Sequence, residues 1–241
     1  MELMLREIRR ETGDCSSFVF EPQRPLAWQA GQYLKYTLPH PDTDDRGDSR
    51  YFSISSAPQE GCVMLTTRFA KRSSSFKRAL GNLKPGDGIA ADELDGDFVL
   101  NDPRRDYIFV AGGIGITPFR AILLDLDLRD EPIHVSLLYA NRDDEFPFQE
   151  ELQRLREKHV RLHIEYFVPP RRIDQKVIRE YQERLRAPLI YVSGPEPMVE
   201  AFDKMLAQMG VSESQIKNDF FPGYDWPGDE PSLRRMEAGK A

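Results

Sequence analysis

Two rhythms of hydrophobic and polar residues divide the chain near residue 102. Before it come short β-type runs: SSFVF (16–20), GQYLKYTL (31–38), RYFSISS (50–56) and CVMLTTRF (62–69). Turn-forming clusters separate them, notably PHPDTDDRGD (39–48) and KPGDG (84–88). Short strands at this spacing predict an antiparallel barrel or sandwich. One helix interrupts them at SSSFKRAL (73–80), opened by serines suited to an N-cap.

After NDPRRD (101–106) the pattern becomes strand–helix–strand. YIFVAG (107–112) is a continuous apolar run, as a strand buried on both faces requires. TPFRAILLDL (117–126) follows, read with Thr117 as N-cap and Pro118 at the first helical position. HVSLLYA (134–140) precedes a helix with Phe148, Leu152 and Leu155 on one face. RLHIEYFV (161–168) precedes a helix carrying Ile173, Val177, Tyr181 and Leu185. LIYVSG (189–194) precedes a helix with Met198, Val199, Phe202, Met205, Leu206 and Met209, ended by Gly210. IKNDFF (216–221) is a last short strand. The series predicts an open five-stranded parallel sheet, doubly wound, with helices on both faces. The expected division is 1–101, 102–225 and a polar tail over 226–241.

Composition narrows the class. The 241 residues suffice for two ordinary domains, and 40% apolar with 30% charged is a globular balance. The net charge of −7 argues against nucleic acid as the main partner. No apolar run approaches bilayer-spanning length, and the N-terminal MELMLREIRRETGD has no apolar signal region. Cys15 and Cys62 lie far apart, which excludes a four-cysteine iron–sulfur centre within this chain. Together these features predict a cytoplasmic protein. No metal site is expected. The four histidines, His40, His134, His159 and His163, fall in no motif.

Three constellations carry candidate chemistry. In RYFSISS, alternation places Arg50, Phe52 and Ile54 on one side and Tyr51, Ser53 and Ser55 on the other. A guanidinium can hold a phosphate oxygen, an aromatic ring can lie on a flat heterocycle, and a hydroxyl can meet a ring nitrogen. AGGIGITPF (111–119) runs from the carboxyl end of a strand into a helix, where clustered glycines and a helix N-terminus suit a pyrophosphate. Its spacing is not G-x-G-x-x-G. YVSGPEPM (191–198) repeats the strand-to-helix turn on the same sheet edge, where open α/β sheets bind ligands.

In this order the motifs resemble the ferredoxin–NADP⁺ reductase superfamily of flavoproteins, over nearly the whole chain to about Tyr224. The resemblance implies a Greek-key-type, flavin-binding antiparallel barrel followed by a nicotinamide-dinucleotide domain. It implies hydride transfer from NAD(P)H to FAD and then electron delivery to a separate protein or small-molecule acceptor. Two alternatives stand beside it: the reverse direction, with reduced ferredoxin or flavodoxin reducing NADP⁺, and a nonenzymatic protein that kept the fold. FMN could replace FAD.

Residue by residue, the resemblance implies that Arg50 binds the FAD pyrophosphate. Phe52, where the family usually has tyrosine, would stack on the flavin beside Tyr51, and Ser53 would meet the N5 region. Thr67, Arg68 and Phe69 would line the flavin and its phosphate linker. Ser74, Ser75 and Phe76 open the helix whose amides would receive the pyrophosphate. Gly113, Gly115, Thr117 and Pro118 would contact the nicotinamide dinucleotide, with Gly194, Pro195 and Met198 on the facing turn. Ser193 stands where many relatives have cysteine beside the nicotinamide. Asp219 and Phe221 match a C-terminal acidic-x-aromatic pattern, with Asp for the usual Glu; Phe221 would cover the flavin or plug the interdomain core. Ser53, Ser193 and Phe221 are thus the candidates at the reacting centre. Asn141 and Arg142 lie where the adenosine ribose is reached. An arginine there tilts the expectation toward NADPH, although Asp143, Asp144 and Glu145 are ambiguous. Arg68, Lys71, Arg72, Lys77 and Arg78 form a basic run that either solvates the surface or docks an acidic carrier.

Overall fold

A computed structural model describes residues 1–69 and 73–221, with Phe221 as backbone only. The expectations for Lys71, Arg72, the Phe221 side chain and the 226–241 tail lie outside the described residues.

The N-terminal half contains β1 (Glu2–Arg10), β2 (Cys15–Pro22), β3 (Tyr33–Thr37), β4 (Ser49–Ser53), β5 (Val63–Arg68), α1 (Ser75–Gly81) and β6 (Gly88–Asp95). The strands pair antiparallel in the order β4-β3-β6-β1-β2-β5. Phe18, Phe20, Val63 and Leu65 pack into the hollow of this half-barrel with Leu3, Leu5, Tyr36 and Phe76. Val19, Cys62 and Met64 face the other way, into the second half of the molecule. β2 and β5 are therefore covered on both faces, which explains their near-continuous apolar runs.

The C-terminal half contains β7 (Tyr107–Gly112), α2 (Ile116–Leu128), β8 (Val135–Ala140), α3 (Gln149–Lys158), β9 (Leu162–Phe167), α4 (Gln175–Arg184), β10 (Leu189–Pro195), α5 (Glu196–Gln208) and β11 (Ile216–Phe221). All five strands are parallel, in the order β11-β10-β7-β8-β9. Tyr107, Phe109 and Ala111 point to one face, against Phe119, Leu152 and the barrel's outer residues. Ile108 and Val110 point to the other, against Ile178, Val199 and Leu206. Helices cover both faces, as the β–α–β rhythm predicts. The hinge of the architecture is one shared core: Val19, Ala57 and Met64 of the barrel belong to the same buried cluster as Phe109, Phe119 and Leu137.

One local reading needs correction. The α2 N-cap is Gly115, and Thr117 lies inside the helix, donating its hydroxyl to Ile114 O at 3.1 Å. A 3₁₀ turn at Gly113–Gly115 leads directly into the helix and moves its start two residues upstream. Around α4 the expected face, Ile173, Val177, Tyr181 and Leu185, packs on the core, and Ile178 beside it is fully buried. The side alternation in RYFSISS persists past the end of β4: Arg50, Phe52 and Ile54 face the barrel core, while Ser53 and Ser55 turn the other way, to Asp219 and Thr66.

Candidate functional site

The first cluster forms around Arg50. Its guanidinium is 8% exposed. Nη1 donates to the carbonyls of Arg46, Gly47 and Ser49 at 2.8, 2.9 and 2.7 Å. Nη2 donates to Asp44 Oδ1 at 2.8 Å, and Nε has no partner. The other carboxylate oxygen of Asp44 accepts from the Ser75 amide at 2.8 Å, and Ser75 Oγ in turn accepts from the Asp44 amide at 3.0 Å. Ser74 caps α1 by accepting from the Lys77 amide at 3.3 Å. Arg50 and the Ser75 amide, both expected at the pyrophosphate, thus converge on one carboxylate. Burial alone would raise the Asp44 carboxyl, but the donors from Ser75, Arg50 and Arg46 outweigh it and hold the carboxyl well below the usual range.

Phe52 sits beside this cluster, its ring centroid 6.0 Å from that of Tyr36 and 5.8 Å from that of Phe76, and it is buried. Tyr51 points to the opposite face, 53% exposed, and bonds Glu93. The backbone alternation of β4 separates it from Phe52, so it does not share the expected ring surface. Thr67 and Phe76 are fully buried. Phe69 packs on Phe18.

The second cluster joins the two halves. Ser53 Oγ at the end of β4 and Ser193 Oγ on β10 both donate to Asp219 Oδ2, at 3.3 and 3.4 Å. Ser193 and Asp219 are register partners on β10 and β11. Burial drives the Asp219 carboxyl up to about 7; the two serine hydroxyls oppose this and Asp97 adds to it. Three strand ends from both sheets therefore meet at a carboxyl group able to change protonation near neutral pH.

The third cluster is the pair of glycine-rich turns. A Cβ on Gly115 would lie 2.2 Å from Ser193 O and 2.7 Å from Gly194 Cα. A Cβ on Gly112 would lie 2.2 Å from Met198 Sδ. Gly113 has φ +54°. The turns at 112–115 and 193–195 press against each other, so Gly115 is required by loop-to-loop packing. Thr117 is buried and Pro118 follows it in the first turn of α2.

Arg68 departs from its expected placement. It pairs with Asp14 at 3.2 Å and donates to Asn141 Oδ1 at 3.1 Å, in the interdomain seam. It is buried and is not part of a surface basic run. Arg142 reaches the same Asp14 and also Asp143, at 3.1 Å. Asn141 donates to Asp143 Oδ1 and Glu145 O at 3.0 and 2.8 Å. An open groove of about 650 Å³ runs past Arg9, Glu11, Arg120, Glu145, Phe148 and Arg154, and no sequence-predicted cofactor residue lines it.

Sequence reasoning passed over Asp44, Asp14 and Arg120. Asp44 is one of four aspartates in a turn-rich run, and nothing local distinguishes it. Among the described residues, no group of three or more His, Cys, Asp or Glu could hold a metal ion, and no helix is long and apolar enough to cross a membrane.

A half-barrel and a doubly wound parallel sheet thus meet where β4, β10 and β11 come together. A family model described as an oxidoreductase NAD-binding domain matches residues 109–204. The carnitine monooxygenase reductase subunit of Escherichia coli (strain K12) is 26% identical over 202 residues, covering 83% of this chain and 61% of that protein. The flavohem-like FAD/NAD-binding domain of nitric oxide dioxygenase from Vibrio cholerae superposes with a TM-score of 0.75 at 21% identity, over 91% of this chain and 98% of that one. Ferredoxin–NADP⁺ reductase from Plasmodium falciparum gives 0.75 at 15% identity, over 91% and 95%. The chain shares the two-domain fold of these structures and carries the oxidoreductase NAD-binding match over its second half. It spans less than two thirds of the length of the first curated relatives it matches.

Proposed function

We propose that the chain is the flavin- and nicotinamide-binding module of an electron-transfer system, taking reducing equivalents from NAD(P)H and passing them to a separate acceptor. The observation that carries this is the meeting of Ser53, Ser193 and Asp219 from both sheets at one buried point. The buried Arg50 with its unpartnered Nε, and the Ser75 amide, fit a phosphate oxygen in place of the Asp44 carboxylate. A relative whose name is that of a monooxygenase reductase subunit favours the forward direction.

Bound flavin would supply the two-electron exchange with nicotinamide and the release of electrons onward. The chain's own residues bind and orient. Arg50 and Ser75 N–H would hold the pyrophosphate, Phe52 would offer its ring beside Phe76, and Ser53 would present a hydroxyl at the interdomain point. Ser193, with Gly113, Gly194 and Pro195, would line the nicotinamide side. Asp219 would hold or release a proton at Oδ2, between the two hydroxyls. Thr67, Phe69, Ser74, Thr117, Pro118 and Met198 support these elements by packing and capping.

The expectation of NADPH rested on an uncommitted Arg142. Its side chain is paired with Asp14 and Asp143, which offsets the charge a 2′-phosphate would seek, so the proposal moves to NADH. Anaerobic reduction by NADH and NADPH in parallel tests both points. The purified chain should be yellow, or turn yellow with added FAD, and NADH should bleach it faster. A colourless chain that takes up neither FAD nor FMN defeats the reading. The nucleotide released on denaturation identifies the flavin, and a screen of acceptors after reduction addresses the partner. Loss of rate at raised ionic strength would support docking of an acidic carrier near Lys77 and Arg78.

A further inference from the structure

We propose that Asp44 is an intramolecular stand-in for a phosphate: its carboxylate occupies the anion seat of Arg50 and the Ser75 amide, and a flavin nucleotide displaces it, with the 39–48 loop, on binding. The proposal rests on the reading of Arg50 as the pyrophosphate anchor and adds a competitor for that seat.

A guanidinium buried this deeply requires an anion, because an unpaired buried charge is strongly destabilising. Asp44 meets that requirement from within the chain. Its two oxygens face donors on two separate elements, Arg50 Nη2 on β4 and the Ser75 amide on α1, each at 2.8 Å. Two oxygens of one phosphate would need the same convergence. The arrangement is also asymmetric in access. The Asp44 side chain is 28% exposed while that of Arg50 is 8% exposed, so an incoming anion meets Asp44 first.

The loop around Asp44 is held mainly through the same seat, by Arg50 Nη1 on the Arg46 and Gly47 carbonyls and by the Asp44–Ser75 pair, and little else fixes it. Pro41, Asp42, Thr43, Asp45 and Arg46 are exposed. Its internal bonds are few: Gly47 N to Asp44 O at 2.9 Å, Thr43 Oγ to His40 O at 3.0 Å and Arg46 N to Asp44 Oδ1 at 3.1 Å. It carries four aspartates against one arginine, a charge that opposes a diphosphate for as long as the loop stays closed. Apparent affinity for the nucleotide then falls by the fraction of molecules whose seat is open. The simpler role, a reciprocal Asp44–Ser75 pair that staples the loop to α1, makes opposite predictions.

The full-length chain, stripped of flavin, is titrated with FAD and with riboflavin, which lacks phosphate, by fluorescence quenching. Asp44→Asn should bind FAD about ten-fold more tightly than wild type and riboflavin equally well. Arg50→Gln should bind FAD about ten-fold more weakly. If Asp44→Asn binds FAD no better while Arg50→Gln is impaired, the competition fails and the Arg50 assignment survives. If Arg50→Gln is unimpaired, the anchor assignment itself fails. Hydrogen exchange on the wild type provides a reading free of variants: peptides across 39–48 should exchange faster with FAD bound than without. Slower exchange would overturn the proposal while leaving cofactor binding intact.

Discussion

Among the described residues, the largely desolvated Asp219 carboxyl meets two long hydrogen bonds, from Ser53 and Ser193, and no cation. Burial therefore outweighs its partners and pushes it up to about 7, from an ordinary value near 3.8. The sign of the consequence follows from proton binding. Between roughly pH 4 and pH 7 the folded chain retains a proton that the unfolded chain has lost, so stability falls as pH rises through that window. The contribution is fully present below about pH 4 and gone above about pH 7. Asp219→Asn removes the titration. Relative to wild type the variant should gain a few kcal/mol as pH rises from about 4 to about 7 and hold that gain above, read by urea unfolding of the flavin-stripped chain. A difference that stays flat across the range would show that Asp219 ionises normally. At this scale Arg50, Ser53 and Ser193 were legible, because each lies in a local motif. Asp44, Asp14 and Arg120 were not, because their partners Ser75, Arg142 and Glu60 are 31, 128 and 60 positions away and leave no short-range pattern.

Elements with both faces buried were readable as continuous apolar runs, and one-sided elements only where their alternation or helical period was clean. YIFVAG coincides with β7 because every residue in it is covered. β1 and β6 escaped notice for the converse reason. In β1 only Leu3 and Leu5 are fully buried, and five charged residues among nine mask the alternation. In β6 only Ile89 and Ala91 are fully buried, with Leu94 partly so, on a strand that also carries Asp92, Glu93 and Asp95. The glycine-rich turn was recognised, but the demand on its glycines was read only toward a ligand. Gly115 presses on the backbone of residues 193 and 194, which cannot yield as a side chain tip can. Gly115→Ala should therefore cost roughly 1–3 kcal/mol or more in folding free energy, measured by chemical denaturation. It should also disturb the Ser193–Asp219 pairing one strand away. Gly47→Ala is the control for positive φ alone: Gly47 has φ +74° with nothing near its Cβ position, and should lose only the smaller cost of backbone strain.

The two sheets act as one body because their seam combines apolar packing with a buried charged node. Arg120 on α2 is 3% exposed. It donates to Ser55 O at 2.7 Å and to both Glu60 oxygens at 2.9 and 3.1 Å, all on the barrel side. It also donates to Glu151 Oε1 on α3 at 2.9 Å, and stacks 5.0 Å from the Phe148 ring. One guanidinium thus ties the segment that follows Ser53 to two helices of the parallel sheet. Its loss leaves two carboxylates facing each other with the Ser55 carbonyl unpaired, although both carboxylates keep partial access to water. Arg120→Met, which keeps the volume but not the charge, should cost roughly 2–4 kcal/mol. The diagnostic readout is cooperativity. Val19, Met64, Phe109 and Phe119 share one core, so melting followed by barrel and sheet probes should remain a single transition in the wild type. If Arg120 sets domain orientation, the variant's barrel and sheet probes should separate, and Glu60→Gln in the same background should add little further loss, because both changes remove one node. Additive losses with coincident melting would assign Arg120 to local α2–α3 stability instead.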